Sequence, residues 1–270
     1  MKKNIEKNKD LWTILDLLQW GTNFFTEKNI ENPRLNIELL ICSVLSIERI
    51  ELYLQFDRPL KKDELSDLKE KVLKRASGYP LQYIIGYTNF LGCNIKVSEA
   101  GLIPRPETEI LANLVLSSLE RSKHYQILDI GTGSACLAIA LAKGLPNSEL
   151  TAIDISKEAI SLAKENSILN KVENIKFFQY DIFKTNSIKK QFDLIVSNPP
   201  YISSKKYHRL DSTVKEYEPK IALTDDEDGL KFYKLYSKIF PKLLKEDGRF
   251  FLEIGFGQNE EMFKIFPAKK

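Results

Sequence analysis

The sequence predicts an α/β protein with a doubly wound, mainly parallel sheet, preceded by a small helical bundle. Three observations carry that expectation. After Lys123, short apolar runs alternate with helical stretches, the pattern of right-handed βαβ units. The first of those runs opens through a glycine-bearing turn directly into a helix. The first eighty residues instead carry apolar side chains at helical spacing.

In that first part, Leu11, Ile14, Leu15 and Leu18 make one stripe. Asn32 and Pro33 have the form of a helix start, an N-cap followed by proline at the first helical position. Leu35, Leu39 and Leu40 continue an apolar face, and Leu65, Leu68, Val72 and Leu73 mark a third helix. Residues 1–80 are therefore expected to be a bundle of three or four helices without catalytic groups. Between Tyr83 and Ile103 the pattern turns strand-like, punctuated by Gly86, Gly92 and Gly101. Residues 81–106 are expected to form a linking β-hairpin. Pro104 and Pro106 bracket Arg105, and Glu107 to Glu120 resumes helical periodicity at the start of a second domain, 107–270. There, strands are expected at Gln126–Ile130, Leu150–Ile153, Ile175–Tyr180, Phe192–Ser197 and Arg249–Ile254. Helices are expected at Ala135–Leu145 and from a Ser156 cap to about Asn170.

Composition narrows the function. The 270 residues suffice for one large and one small domain, and 43% hydrophobic with 29% charged residues is ordinary for a globular chain. A net charge of +3, with both signs interleaved, gives no basic face for nucleic acid. Cys42, Cys93 and Cys136 are far apart, which suits small buried side chains and neither zinc nor a disulfide framework. Met1 to Asp10 is rich in Lys and Asn and has no signal-type apolar run, and no run is long enough to span a bilayer. A cytoplasmic setting is expected.

Two motifs carry chemistry. The first expected strand of the second domain ends in Asp129-Ile130-Gly131-Thr132-Gly133-Ser134-Ala135. Glycines there let the backbone turn and approach a ligand closely. Asp154, closing the next strand, can accept hydrogen bonds from both hydroxyls of a ribose. A dinucleotide site would want a third glycine where Cys136 stands, so the loop favours S-adenosyl-L-methionine over NAD. Asp181, followed by Ile182, fits the adenine amino group, with a turn cap as its alternative use. The second motif is Asn198-Pro199-Pro200-Tyr201, after the fourth strand. A planar amide or exocyclic amine nitrogen is a poor nucleophile, because its lone pair is delocalised. The Asn198 side-chain oxygen and the Pro199 carbonyl can each accept one of its N–H groups. The two prolines hold the backbone extended, and Tyr201 offers a flat face.

This tetrapeptide resembles the signature of amino-group methyltransferases acting on DNA, RNA or protein. Arg75-x-x-Gly78-x-Pro80-Leu81-Gln82-Tyr83-Ile84-x-Gly86 and Leu102-Ile103-Pro104-Arg105-Pro106-Glu107-Thr108-Glu109 further resemble the HemK/PrmC family of release-factor glutamine methyltransferases. Tyr217-Glu218-Pro219-x-x-Ala222-Leu223 and Asp228-Gly229-Leu230 resemble the same family, and the likeness runs from about Leu35 to Gly257. It implies a Rossmann-like methyltransferase domain behind a helical bundle and hairpin. It also implies methylation of the glutamine in the Gly-Gly-Gln loop of class-one peptide chain release factors, whose body the bundle would recognise. By position, Gly131, Thr132, Gly133, Ser134, Ala135, Asp154, Asp181, Ile182 and Asn198 would hold the cofactor, and Asn198, Pro199, Pro200 and Tyr201 would hold the glutamine. No nucleic-acid or membrane partner is implied.

Two departures stand out. Ala135 replaces a glycine, which is expected to put a methyl group near the bound methionine moiety and weaken binding somewhat. Family members also continue into a closing antiparallel strand pair, whereas Lys270 follows soon after Gly255 and a helix around Met262. The fifth strand is thus expected to keep an open edge. A nucleic-acid amine methyltransferase is the alternative with the same chemistry. A shortened form acting only by binding is a second, and an NAD oxidoreductase a distant third. His124 and His208 are the chain's two histidines, and both are expected to be solvated.

Overall fold

The computed structural model describes residues 11–267; the Met1–Asp10 segment read above lies outside them. Two compact units, Met1–Ile85 and Gly86–Lys270, divide the chain.

The first unit is helical. Thr13 opens α1 (Ile14–Glu27) with a capping box, its hydroxyl accepting from Asp16 N at 3.3 Å while Asp16 Oδ2 accepts from Thr13 N at 3.0 Å. Because the helix starts at Ile14, its buried stripe is Ile14, Leu17, Leu18 and Phe25. Leu11 precedes the cap and Leu15 points off the stripe, so both are exposed, contrary to the sequence reading. Helix α2 (Pro33–Leu45) follows, with Pro33 at its start as expected. Asn32 makes no side-chain cap; its carbonyl instead accepts from Asn36 N and Asn36 Nδ2, both at 3.1 Å. Helices α3 (Arg49–Leu54), α4 (Lys62–Ala76) and α5 (Leu81–Ile85) complete the unit. Its core takes Ile37, Leu40 and Ile41 from α2 and Leu68 and Val72 from α4, while Leu35 and Leu73 are exposed.

Among the described residues of that unit, one charged side chain is buried. Glu38 on α2 accepts from Arg34 Nε at 2.6 Å, Arg49 Nε at 2.7 Å and Tyr53 Oη at 2.8 Å. Burial works against the charge, but the bonds from Arg34, Tyr53 and Arg49 outweigh it and hold the carboxyl below its ordinary pKa. A lowered folded pKa stabilises the fold at higher pH, and that contribution is lost as pH falls through the folded value. Glu38→Ala is expected to cost about 1–3 kcal/mol, because it removes three charge-assisted hydrogen bonds while the half-exposed Arg34 and Arg49 return to water. Hydrogen exchange of the α2 amides checks this, and unchanged protection would contradict it.

The second unit begins with a hairpin, β1 (Tyr87–Phe90) and β2 (Cys93–Lys96), turned through Leu91 and Gly92 at positive φ. It is shorter than the strand-like stretch in the sequence, because Leu81–Ile85 is helical and residues 97–105 are irregular. It packs on its own unit. Asn166 bridges Lys96, its Oδ1 accepting from Lys96 N at 2.7 Å and its Nδ2 donating to Lys96 O at 2.9 Å.

Helix α6 (Pro106–Ser117) leads into the sheet, whose strands are β3 (Gln126–Ile130), β4 (Glu149–Asp154), β5 (Ile175–Gln179), β6 (Phe192–Ser197) and β7 (Leu244–Leu252). Their order is β5-β4-β3-β6-β7 and every pairing is parallel. The expected doubly wound α/β sheet is therefore present. Helices α7 (Cys136–Gly144) and α8 (Lys157–Leu169) supply the crossovers around β4, and the Ser156 hydroxyl caps α8 by accepting from Ala159 N at 3.0 Å. Helices α9 (Ser204–Tyr207), α10 (Ser212–Tyr217) and α11 (Lys220–Leu223) are short. Helix α12 (Lys231–Leu243) buries Tyr233, Tyr236, Ile239, Phe240 and Leu243, and α13 (Asn259–Ile265) follows β7. Strand β7 lies at the sheet edge, and among the described residues no strand pairs with its outer side. No described helix is long and apolar enough to cross a membrane.

Candidate active site

Strand order reverses between β3 and β6, and in open parallel sheets ligands lie beyond the C-terminal strand ends at such a switch point. A cavity of about 700 Å³ lies there, within the second unit. The turn after β3 forms its floor. Gly131 and Gly133 have φ of +74° and +54°, and a Cβ on either would project into open space with no protein atom within 4 Å. That vacant approach is what a closely held cofactor needs from glycine. Gly131 N and Thr132 N donate to Ile153 O at 2.9 and 3.0 Å, tying the turn to the end of β4.

Acidic groups converge on this turn. Asp154 Oδ2 accepts from Gly133 N and Oδ1 from Ser156 N, both at 2.9 Å. A carboxylate has about four acceptor sites, so about two remain for a ribose diol. Burial raises the Asp154 pKa against the N–H groups of Ser156, Gly133 and Ile155. Asp129 is deeper. Burial pushes its carboxyl up to about 7, opposed by the Thr132 hydroxyl, which donates to it at 2.6 Å, and assisted by the Asp154 charge. Asp181 accepts from Phe183 N at 3.0 Å and so caps the short 3₁₀ segment Ile182–Ser187 while it faces the cavity.

The opposite wall comes from the end of β6. Ser197 Oγ donates to Ile130 O at 2.7 Å and fixes the end of β6 against β3. Asn198, Pro199 and Pro200 then line the cavity. Asn198 Nδ2 donates to Thr108 Oγ1 at 3.0 Å, and Thr108 Oγ1 donates to Glu253 Oε2 at 2.7 Å. Tyr201 Oη donates to Glu253 Oε1 at 3.2 Å; burial raises the Tyr201 pKa to about 12, with the Glu253 charge adding to it. Burial likewise raises the pKa of Glu253 itself.

Most of the residues singled out in the sequence therefore meet around one cavity: Gly131 to Ser134, Asp154, Asp181, Ile182 and Asn198 to Pro200. Two do not. Ala135 is fully buried and does not line the cavity; its departure from glycine is felt in its backbone, at φ +63°, and no methyl group faces a ligand. Tyr201 packs into the core beside β7 and α12, so its ring is not a cavity wall. His124 and His208 are exposed and away from the cavity. Cys42 and Cys93 are buried and Cys136 partly so, all three free, and the described residues hold no metal-binding cluster.

Several residues carry no assigned role in the sequence, although Arg105, Thr108 and Glu218 stand inside the motifs quoted above. Thr108 and Glu253 are one such pair. Another is Arg105 with Glu218, which ion-pair at the rim, Glu218 also accepting from Ile103 N at 3.3 Å. The segment before α6 approaches the cofactor turn at Gly101, where a Cβ would stand 3.3 Å from Ser134 N.

Two family descriptions match the chain: the PrmC N-terminal domain over residues 16–86 and the methyltransferase small domain over residues 96–215. A release factor glutamine methyltransferase of Fusobacterium nucleatum is 39% identical over 277 residues, which cover 98% of this chain and 78% of that protein. One of Geobacter sulfurreducens is 39% identical over 258 residues, covering 95% and 89%, and one of Thermodesulfovibrio yellowstonii 40% over 229, covering 84% and 81%. With a switch-point cavity whose glycine turn and Asn-Pro-Pro wall suit methyl transfer, this chain belongs to the family of release factor glutamine methyltransferases.

Proposed function

We propose that the protein methylates the side-chain amide nitrogen of the glutamine in the Gly-Gly-Gln loop of class-one peptide chain release factors. The observation that carries this reading is Asn198-Pro199-Pro200 on the cavity wall, facing the glycine turn across the switch point. S-adenosylmethionine is the methyl donor, and its sulfonium supplies an activated methyl group. Gly131 and Gly133 admit it closely, and Asp154 accepts hydrogen bonds from its ribose. Thr132 and Ser134 shape the turn, while Asp181 and Ile182 border the adenine. Asn198 Oδ1 and Pro199 O each accept one N–H of the substrate amide and hold its nitrogen in line with the methyl group. Positioning of this kind supplies much of the rate, because no strong base is needed before transfer. As the N–C bond forms, the methyl–sulfur bond would break with its electron pair staying on sulfur as a neutral thioether, and the nitrogen would lose one proton to water. Tyr201 supports the wall from behind. The helical unit takes no part in the chemistry and recognises the body of the release factor.

Asp129 gives this reading a pH signature. Its carboxyl, with a pKa of about 7, is largely neutral below that value. A bound cation favours the ionised form, so binding must release a proton at low pH. Methyl-donor affinity is expected to rise as pH rises through about 7 and to level off above. Calorimetry in two buffers of different ionisation enthalpy reads that proton release; a flat affinity with no proton release would contradict it.

The substrate is tested by offering radiolabelled methyl donor with a purified release factor and, separately, with bacterial DNA and RNA. Label on protein alone supports the reading. Label on nucleic acid alone would replace it with the exocyclic-amine alternative.

A further inference from the structure

We propose that Thr108 is a positioning residue, held in one hydrogen-bonding sense by Glu253, that fixes which end of the Asn198 amide faces the cavity. This rests on the reading of Asn198 as a substrate acceptor. An asparagine amide has two ends of nearly equal shape and opposite polarity. With Oδ1 toward the substrate it accepts an N–H; with Nδ2 there, two donors would face each other. Something must choose between them.

Thr108 makes the choice through its single hydroxyl proton, and the Glu253 carboxylate, which also draws an Asn198 N–H, favours the same sense. Its Oγ1 lies 2.7 Å from Glu253 Oε2 and 3.0 Å from Asn198 Nδ2. Burial works against the Glu253 charge, but the bonds from Thr108, Tyr201 and Asn198 all favour the ionised form. An ionised carboxylate only accepts, so the Thr108 proton goes to Glu253. The hydroxyl then has only lone pairs left for Asn198, and only the Nδ2 end can meet them. Oδ1 is thereby turned away from Thr108. Both relay residues are buried, at 3% and 9% exposure, so water does not compete readily for these bonds.

The anchor itself is rigid. Glu253 N donates to Ser197 O at 3.1 Å, directly before Asn198, and Glu253 O accepts from Tyr233 Oη at 2.8 Å. Tyr201 Oη donates a second hydrogen bond to the carboxylate. Thr108 stands in the first turn of α6, where Thr108 N donates to Arg105 O at 3.1 Å. Three segments far apart in the chain thus set one amide.

The test compares Thr108→Val, which keeps shape but has no hydroxyl, with Thr108→Ser, which keeps the hydroxyl. The Asn198 side-chain amide is observed by NMR after ¹⁵N-asparagine labelling and assigned by its loss in Asn198→Ala. In wild type and Thr108→Ser, exchange of one Nδ2 proton is expected to be slowed at least about tenfold relative to Thr108→Val. Thr108→Val is expected to lower kcat about 10- to 100-fold with the methyl donor KM changed less than about threefold, and Thr108→Ser to stay within about threefold of wild type. Thermal melting verifies that each variant is folded. Equal amide exchange in all three proteins, near-normal kcat in Thr108→Val, or a Thr108→Ser as poor as Thr108→Val would each overturn the proposal. A wild type that transfers nothing to a release factor would instead overturn the substrate reading, and the amide-exchange comparison would still decide the relay.

Discussion

Asn198→Ala is expected to reduce methyl transfer by on the order of 10²–10³-fold, by analogy with loss of one preorganised polar group at a reacting centre. Methyl-donor affinity should change less than about threefold, because truncation removes no contact from the glycine turn. The asymmetry follows from the layout. Asn198 stands on the β6 side of the switch point, whereas the turn and Asp154 stand at the ends of β3 and β4. Truncation leaves the Pro199 carbonyl as a lone acceptor, so the substrate nitrogen loses its second hold and swings out of line. It also leaves Thr108 with one partner, Glu253, which keeps it satisfied; the fold should therefore survive. Single-turnover transfer beside calorimetric titration separates the two effects. A variant that transfers at near-normal rate would show that the two-acceptor wall is not how the amide is held.

Asp154→Ala is expected to act in the opposite sense, weakening methyl-donor binding by about 10²-fold or more with a smaller effect on kcat at saturation. Hydrogen bonds to a charged acceptor contribute about 1.5–3 kcal/mol each, and a ribose diol offers two donors. The carboxylate also anchors the turn, since Gly133 N and Ser156 N both end on it at 2.9 Å. Removing it leaves those N–H groups without their partner and loosens the turn where closest approach is required. Asp154→Asn, which keeps one acceptor oxygen, should fall between the two. Equal affinity of wild type and Asp154→Ala would remove Asp154 from the cofactor site.

Much of this was legible from local pattern. The β3 turn and the β6 end each combine strand, turn chemistry and motif within ten residues, so their register was readable without tertiary knowledge. The parallel sense of the sheet follows from the alternation of strand and helix. What escaped the sequence reading escaped it for identifiable reasons. The Leu11–Leu18 stripe was drawn from spacing alone, without the Thr13 and Asp16 box that starts the helix at Ile14. Tyr83–Ile85 have the pattern of a strand because Tyr, Ile and Ile favour extended backbone, yet they end the helix Leu81–Ile85 that follows Pro80. Helix α12 does carry a local signal, since Tyr233, Tyr236, Ile239, Phe240 and Leu243 recur at helical spacing.

The site shows the same division. Gly131, Gly133, Asp154 and Asn198 could be named because each sits in a motif with a stated chemical need. Thr108 and Glu253 could not, because what they do depends on contacts with partners 90 and 145 residues away in sequence. The motif alone points Tyr201 toward substrate, while its partly buried ring packs beside β7 and α12. Ala135 was judged by side-chain bulk, whereas the constraint at that position is the left-handed backbone.

The most direct test of the central claim is residue-level mapping of the transferred methyl group. A purified class-one release factor is incubated with the protein and S-adenosylmethionine, digested, and fragmented by tandem mass spectrometry. The account predicts one added methyl group, on the side-chain nitrogen of the Gly-Gly-Gln glutamine, and none when that residue is replaced by alanine. Methylation at any other residue, or undiminished methylation of the alanine variant, would contradict it.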